Sequence, residues 1–297
     1  MIPVAHRLPK ITAGLIIVIL FSHLIESAPA PSNTAKSYLL KPNIKEGDNE
    51  IINYKLEASA NIEVPAMAEH PVIPLYSRLE QEIEQKILSI TATKISRMER
   101  TYHSSKYYTN KKSKTPKTDS LDGKKIIIEP DGTITPTDLI PLKIKEFISI
   151  NEHRFSLILP KEEIRPQAEW TIPSEIVVSL FNFSNNKKRS TIHGCTEVGI
   201  NAHFTGGSLQ CLLKKVQSTG LQEIAVIEMI VVLKGEDNGL NIDTTLKGTA
   251  FFDIAKARFS TIELSGDLNL EGDQPCAQSG EDRVIGKGKI NIFYEFK

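Results

Sequence analysis

The sequence predicts an α+β domain, a large curved antiparallel β-sheet or half-barrel with one or two covering helices. Three observations carry that expectation. A long run of strict alternation opens the folded part, short strands separated by turn residues fill the C-terminal half, and one compact amphipathic segment follows the only tryptophan.

The alternation is clearest at Ile52, Tyr54, Leu56, Ala58, Ala60, Ile62 and Val64, which interleave with polar residues as a strand with one buried face requires. Pro65, Pro71 and Pro74 end it. Residues 79–98 are ambiguous. Leu79, Ile83, Ile87, Ile90, Ile95 and Met98 fall near helical spacing with charges between them, and on pattern alone the segment reads as a helix. The β-branched residues around Thr91 and Thr93 suit a strand better. Residues 110–119 form a lysine-rich loop without apolar content, and residues 125–129 a short buried strand before the turn at Pro130-Asp131-Gly132.

Beyond Trp170, Ser174 is placed to cap a short helix whose apolar face is Ile176, Val177, Leu180 and Phe181. A tryptophan just ahead of such a turn reads as a core plug. Strands follow at 224–234, 246–253, 258–264, 267–271 and 285–296. The separating turns are expected at 235–239, 253–256, 265–267 and 280–282, giving an antiparallel meander. No internal repeat points to a solenoid or propeller.

Before the domain lies an export signal. His6, Arg7 and Lys10 form a basic stretch, residues 11–25 an apolar run too short to span a bilayer comfortably, and Ser27-Ala28-Pro29-Ala30 a small-residue cleavage region. The domain plan is therefore a signal peptide over 1–27, a Pro-containing linker over 28–49 and a single β-rich domain over 50–297, with two halves meeting near 150. Lysine plus arginine and aspartate plus glutamate number 36 each. That balance gives no electrostatic reason to expect nucleic acid or an anionic membrane as partner, and the membrane enters only through the signal before its cleavage.

No catalytic residue, cofactor-binding residue or metal ligand is assigned. The suggestive group is His193, Cys195, His203 and Cys211, but its spacing fits no standard zinc motif. Residues 191–200 and 209–216 flank an expected turn at 204–208 containing Gly206-Gly207. That hairpin would bring Cys195 and Cys211 together as a disulfide in an oxidising compartment, with unpaired thiols the equal alternative. Cys276 is left over. Nucleophile elbows, zincin motifs and P-loops are absent. Gly286-Lys287-Gly288-Lys289 opens a strand and lacks the helix N-terminus that would hold phosphate. His153-Arg154 reads as strand-edge sequence.

Trp170-Thr171-Ile172-Pro173, Ala225-Val226-Ile227-Glu228 and the stretch from Gly248 through Phe252-Asp253 to Arg258-Phe259 and Gly266 form a recurring set. In these motifs the last 140 or so residues resemble a group of exported, planctomycete-like bacterial proteins without an assigned role. Fainter similarity falls at Arg100-Thr101-Tyr102 and Gly123-Lys124-Lys125-Ile126. The resemblance implies an exported, antiparallel, strand-rich domain, favours strand over helix at 79–98, and carries over no catalytic residue.

Together these readings lead to an exported periplasmic, envelope or extracellular protein of non-enzymatic type. It would bind an apolar ligand or a partner envelope protein in a half-closed sheet. A structural or assembly role without a small ligand comes next, and an unrecognised hydrolase third.

Overall fold

The structure, a computed structural model, describes residues 36–63, 72–91, 94–112, 115–118, 121–129, 134–137, 151–181, 203–220, 222–237, 239–276 and 280–297, and most of these residues are in strands. The strands are β1 (Asn49–Glu63), β2 (Val72–Thr91), β3 (Lys94–Tyr108), β4 (Lys117–Thr118), β5 (Lys125–Ile128) and β6 (Ile134–Pro136). After a 3₁₀ segment (Asn151–Ile158) come β7 (Glu169–Ile172), the helix α1 (Ser174–Phe181), β8 (His203–Thr219), β9 (Gln222–Asp237), β10 (Leu240–Asp253), β11 (Arg258–Cys276) and β12 (Gly280–Phe296).

All the strands belong to one antiparallel sheet in the order β6-β5-β3-β2-β1-β12-β11-β10-β9-β8-β7, with β4 paired to β3. The chain starts at the centre and winds out to one edge, then resumes at the opposite edge and winds back. β1 and β12 close the path by pairing from Ile52↔Phe296 to Glu63↔Ile285. The two halves expected to meet near 150 are thus halves of a single sheet. Its end strands β6 and β7 are not paired to each other, so the sheet is open.

Residues directly opposite across an antiparallel ladder share a face, and register makes one face largely apolar across the strands from β2 to β7. A single row runs Leu79, Leu56, Ile292, Leu264, Gly248, Met229, Cys211, Trp170 across eight adjacent strands. The opposite face is largely charged and polar, as in the neighbouring row Glu80, Lys55, Phe293, Glu263, Thr249, Glu228.

Glycines mark a diagonal on the apolar face. Gly288, Gly266 and Gly248 lie on β12, β11 and β10, each displaced by two residues from its neighbour in register. A Cβ on Gly248 would sit 1.7 Å from the Glu263 carbonyl oxygen, and one on Gly266 would sit 1.9 Å from that of Thr245. Only glycine lets the adjoining backbone come so close.

Several expectations are corrected. Of the two readings left open for 79–98, strand holds and the helix suggested by spacing does not: residues 79–91 lie in β2 and 94–98 in β3. A spacing of four, as in Leu79-Ile83-Ile87, satisfies period two as well as period 3.6. The buried set Ile83, Gln85 and Ile87 shows which period holds. The turn expected at 204–208 is absent: β8 runs straight through Gly206-Gly207 with a bulge between Phe204 and Gly206. The turn expected at 265–267 is likewise interior to β11, where Gly266 faces the core. Residues 280–282 already belong to β12, and 286–289 lie well inside it. His153-Arg154 falls in the 3₁₀ segment, not at a strand edge.

Helix is scarcer than an α+β class implies. Among the described residues one eight-residue helix is present. It starts from Pro173, whose carbonyl accepts from Ile176 N–H and Val177 N–H, while the Ser174 hydroxyl accepts from Gly207 N–H and ties the helix to β8. Val177, Leu180 and Phe181 are buried, as the amphipathic pattern predicts. Residues 37–48 lack periodicity but are not a free linker. Tyr38 pairs with Ile164 through two backbone hydrogen bonds, Leu40 is 1% exposed, and one compact unit runs from Ser37 to Lys297. The expected signal peptide lies outside the described residues. Among those residues no helix is long and apolar enough to cross a membrane.

Candidate functional site

Of the Cys/His group, His203 and Cys211 fall among the described residues. His193 and Cys195 lie outside the described residues. His203 and Cys211 stand on the same strand eight residues apart, roughly 26 Å at the rise of an extended chain, so one ion cannot touch both. Among the described residues no group of three or more potential metal ligands converges. Cys211 is a free thiol on the apolar face, 2% exposed, and its burial pushes its pKa up to about 12. The hairpin that motivated a Cys195–Cys211 bridge is replaced by continuous strand.

Trp170 serves packing. It pairs with Cys211 across β7 and β8, is half-buried against the core, and its indole N–H donates to the Ile158 carbonyl at 2.6 Å. The bond pins the 3₁₀ segment over the centre of the sheet, where the Phe155 ring meets Tyr294 edge-on at 5.0 Å.

The concavity that combines apolar walls with charge lies at one end of the sheet, where β1 begins and β10 and β12 end. It is a pocket of about 390 Å³. Ile87, Phe252, Phe259 and Phe296 supply its apolar surface. Phe252 and Phe259 meet edge-on at 5.3 Å, and Phe296 stacks on Tyr294 at 6.1 Å, which in turn touches Tyr54 at 4.7 Å. Aromatic surface therefore leads from the pocket into the core.

Two backbone segments form its rim. Residues 43–48 cross the end of the sheet as a strap. At one end Asn43 N–H donates to the Ala257 carbonyl, and at the other Gly47 N–H donates to Ile87 O while Ile87 N–H donates to Asp48 O. The Glu46 carboxylate adds a bond from Ile90 N–H at 2.8 Å. The second segment is the β10–β11 turn. Asp253 closes it by accepting from Lys256 N–H at 2.9 Å and from the Gln222 amide at 2.7 Å. Burial pushes the Asp253 pKa up. These two donors, the Lys256 charge and the Ala255 N–H outweigh that effect and hold the carboxyl below its usual value. Ala257 completes the turn at φ 54°, a left-handed conformation that a residue with a Cβ adopts at a cost.

Three cations line the pocket: Lys45 from the strap, and Lys256 and Arg258 from the turn. Arg258 stands 3.9 Å from Glu50, and Lys256 stands 3.8 Å from Asp253. Both distances exceed a hydrogen bond. Asp48 turns one carboxylate oxygen to the Lys45 backbone N–H at 2.7 Å. Gln85, on the pocket wall and 1% exposed, accepts from buried Arg100 Nε at 2.8 Å. A second, more open depression of about 480 Å³ on the outer face is lined by Lys55, Glu57, Lys247 and Glu263 among others, and mixes both charges.

Sequence reasoning missed this site. Its residues come from the strap, the 3₁₀ segment, the β10–β11 turn and five strands, segments that lie far apart in the sequence. The one available signal was the Arg258-Phe259 pair directly after a turn, a cation beside an aromatic at a strand start.

No family model and no curated protein matches the chain. Among solved structures, one describing lipid–protein interactions in lipovitellin superposes with a TM-score of 0.32 at 10% identity, over 86% of this chain and 26% of that one. This chain thus spans about a quarter of the lipovitellin chain. DynF from the dynemicin biosynthesis pathway of Micromonospora chersina superposes with a TM-score of 0.18 at 8% identity, over 87% of this chain and 85% of that one. Neither value corresponds to a shared fold.

Proposed function

We propose that this is an exported, non-enzymatic envelope protein whose sheet curls into a half-barrel and holds an apolar ligand. The observation that carries the reading is the apolar face. It is continuous across eight strands, yet among the described residues one eight-residue helix and one 3₁₀ segment are the only helical elements available to cover it. A face that wide stays dry only if the sheet bends over itself, and the glycine diagonal through Gly288, Gly266 and Gly248 is where such a bend would be cut. The pocket under the strap supplies the opening, apolar within and polar at the rim, as small-molecule sites are. The resemblance of the C-terminal half to exported bacterial proteins points to the same compartment.

One observation favours the structural or assembly alternative. Away from the pocket the apolar face is tightly filled, with Ile52, Leu209, Leu213, Leu246 and Ile262 all at 0% exposure. Native mass spectrometry of protein recovered from the envelope fraction separates the two. Ligand binding predicts a species heavier than the chain by the mass of an extractable apolar molecule. A bare chain at every preparation supports the structural role. The same spectrum reads the N-terminus, expected between residues 28 and 31. Full-length protein confined to the cytoplasm would end the export proposal.

A further inference from the structure

We infer that the pocket under the strap takes a single-chain amphiphile with an anionic head, its tail against Phe252, Phe259 and Phe296 and its head between Lys45 and Lys256. The inference rests on the apolar-ligand reading and goes beyond it by fixing head-group charge, chain number and place.

Size selects the chain number. A volume of about 390 Å³ is near the lower end for ligand pockets, roughly 300–1,000 Å³, which suits one acyl-type chain and excludes full burial of a two-chain lipid. Charge selects the head. Lys45 and Lys256 reach the rim from different backbone segments. The Lys45 ammonium makes no ion pair among the described residues. The Lys256 ammonium is 60% exposed and 3.8 Å from an Asp253 carboxylate whose oxygens already accept two hydrogen bonds. Arg258 stands beside them at 3.9 Å from its nearest carboxylate. Lys45, Lys256 and Arg258 line the same pocket as Phe252, Phe259 and Phe296, and outnumber the lining carboxylates Asp48 and Glu50. A carboxylate or phosphate monoester on an apolar chain satisfies both ends at once, with charge-assisted bonds at the head.

The strap makes the arrangement selective. Its two ends are fixed by backbone bonds to Ala257 and Ile87, so the span carrying Lys45 lies over the chain. A head group held at the rim would bridge strap and turn.

The test is isothermal titration of the full exported chain with dodecanoate, dodecyl phosphate and dodecanol. The inference expects both anions to bind and dodecanol to bind about tenfold or more weakly, with the anion affinity falling as salt rises. A preference between the anions tells a free fatty acid from a phosphate-bearing head. K45A/K256A should weaken the anions about tenfold and leave dodecanol unchanged, its fold confirmed by an unaltered melting temperature. Equal binding of dodecanol and dodecanoate, or an unchanged anion affinity in K45A/K256A, overturns the head-group assignment and leaves the apolar-ligand reading standing. Failure of all three probes to bind overturns both at this pocket.

Discussion

Trp170 is held from two sides, by its strand partner Cys211 and by the bond from its indole N–H to the Ile158 carbonyl. Trp170→Phe keeps the ring contacts and strands that carbonyl, so unfolding by denaturant should show a loss of about 1–2 kcal/mol. Trp170→Ala removes the packing as well and should cost about 3 kcal/mol, the low end for a buried aromatic because the ring is half-buried. Loss of stability no greater than at an exposed site would show that the tryptophan does not anchor the 3₁₀ segment. Cys211 behaves as a small apolar residue. With its thiol pushed up to about 12 by burial, it should resist alkylation at pH 8 in the folded protein and label fully once unfolded. Gly266→Ala places a Cβ where a carbonyl oxygen already stands. It should destabilise by about 1–3 kcal/mol or more, whereas alanine in an open strand position would not.

Single elements show how far sequence pattern reaches. The alternation in β1 was legible residue by residue, because six alternating positions from Ile52 to Ile62 admit one reading; the seventh, Val64, lies outside the described residues. In α1 three of the four residues the pattern named, Val177, Leu180 and Phe181, are buried, and β5 is a short strand where one was expected. Residues 79–98 misled because isoleucines four apart fit both periods, and the register shifts around Ser89 break the alternation that would have decided between them. Gly206 and Gly266 misled for a related reason. Glycine reads as a turn, but Gly266 marks close backbone approach inside the sheet and Gly206 a bulge in β8. The β10–β11 turn was legible and gives a pH prediction. Asp253 titrates lower in the folded state than when unfolded, so the stability it provides is fully present above an unfolded pKa of about 3.9 and is lost as pH falls through the folded value. Asp253→Ala should therefore cost about 1–3 kcal/mol at pH 7. In urea titrations the gap from wild type should narrow below about pH 4. A gap independent of pH would show that the carboxylate charge does not hold the turn.

At the scale of the whole molecule, the topology does something the sequence could not announce. It places the first and last long strands side by side at the centre of the sheet, so that Ile87, Phe252 and Phe296, from distant parts of the chain, meet at one end beneath residues that read as linker. No local pattern records that meeting, which is why the apolar face was legible and the pocket was not. The central claim is that this end of the sheet admits an apolar chain. Hydrogen–deuterium exchange of the full chain with and without saturating dodecanoate tests it most directly. Slowed exchange confined to residues 42–48, 85–87 and 252–259 is predicted, with the sheet edges at β6 and β7 unchanged. Unaltered exchange at the strap and turn, or protection centred on the outer face around Lys55 and Lys247, would contradict it.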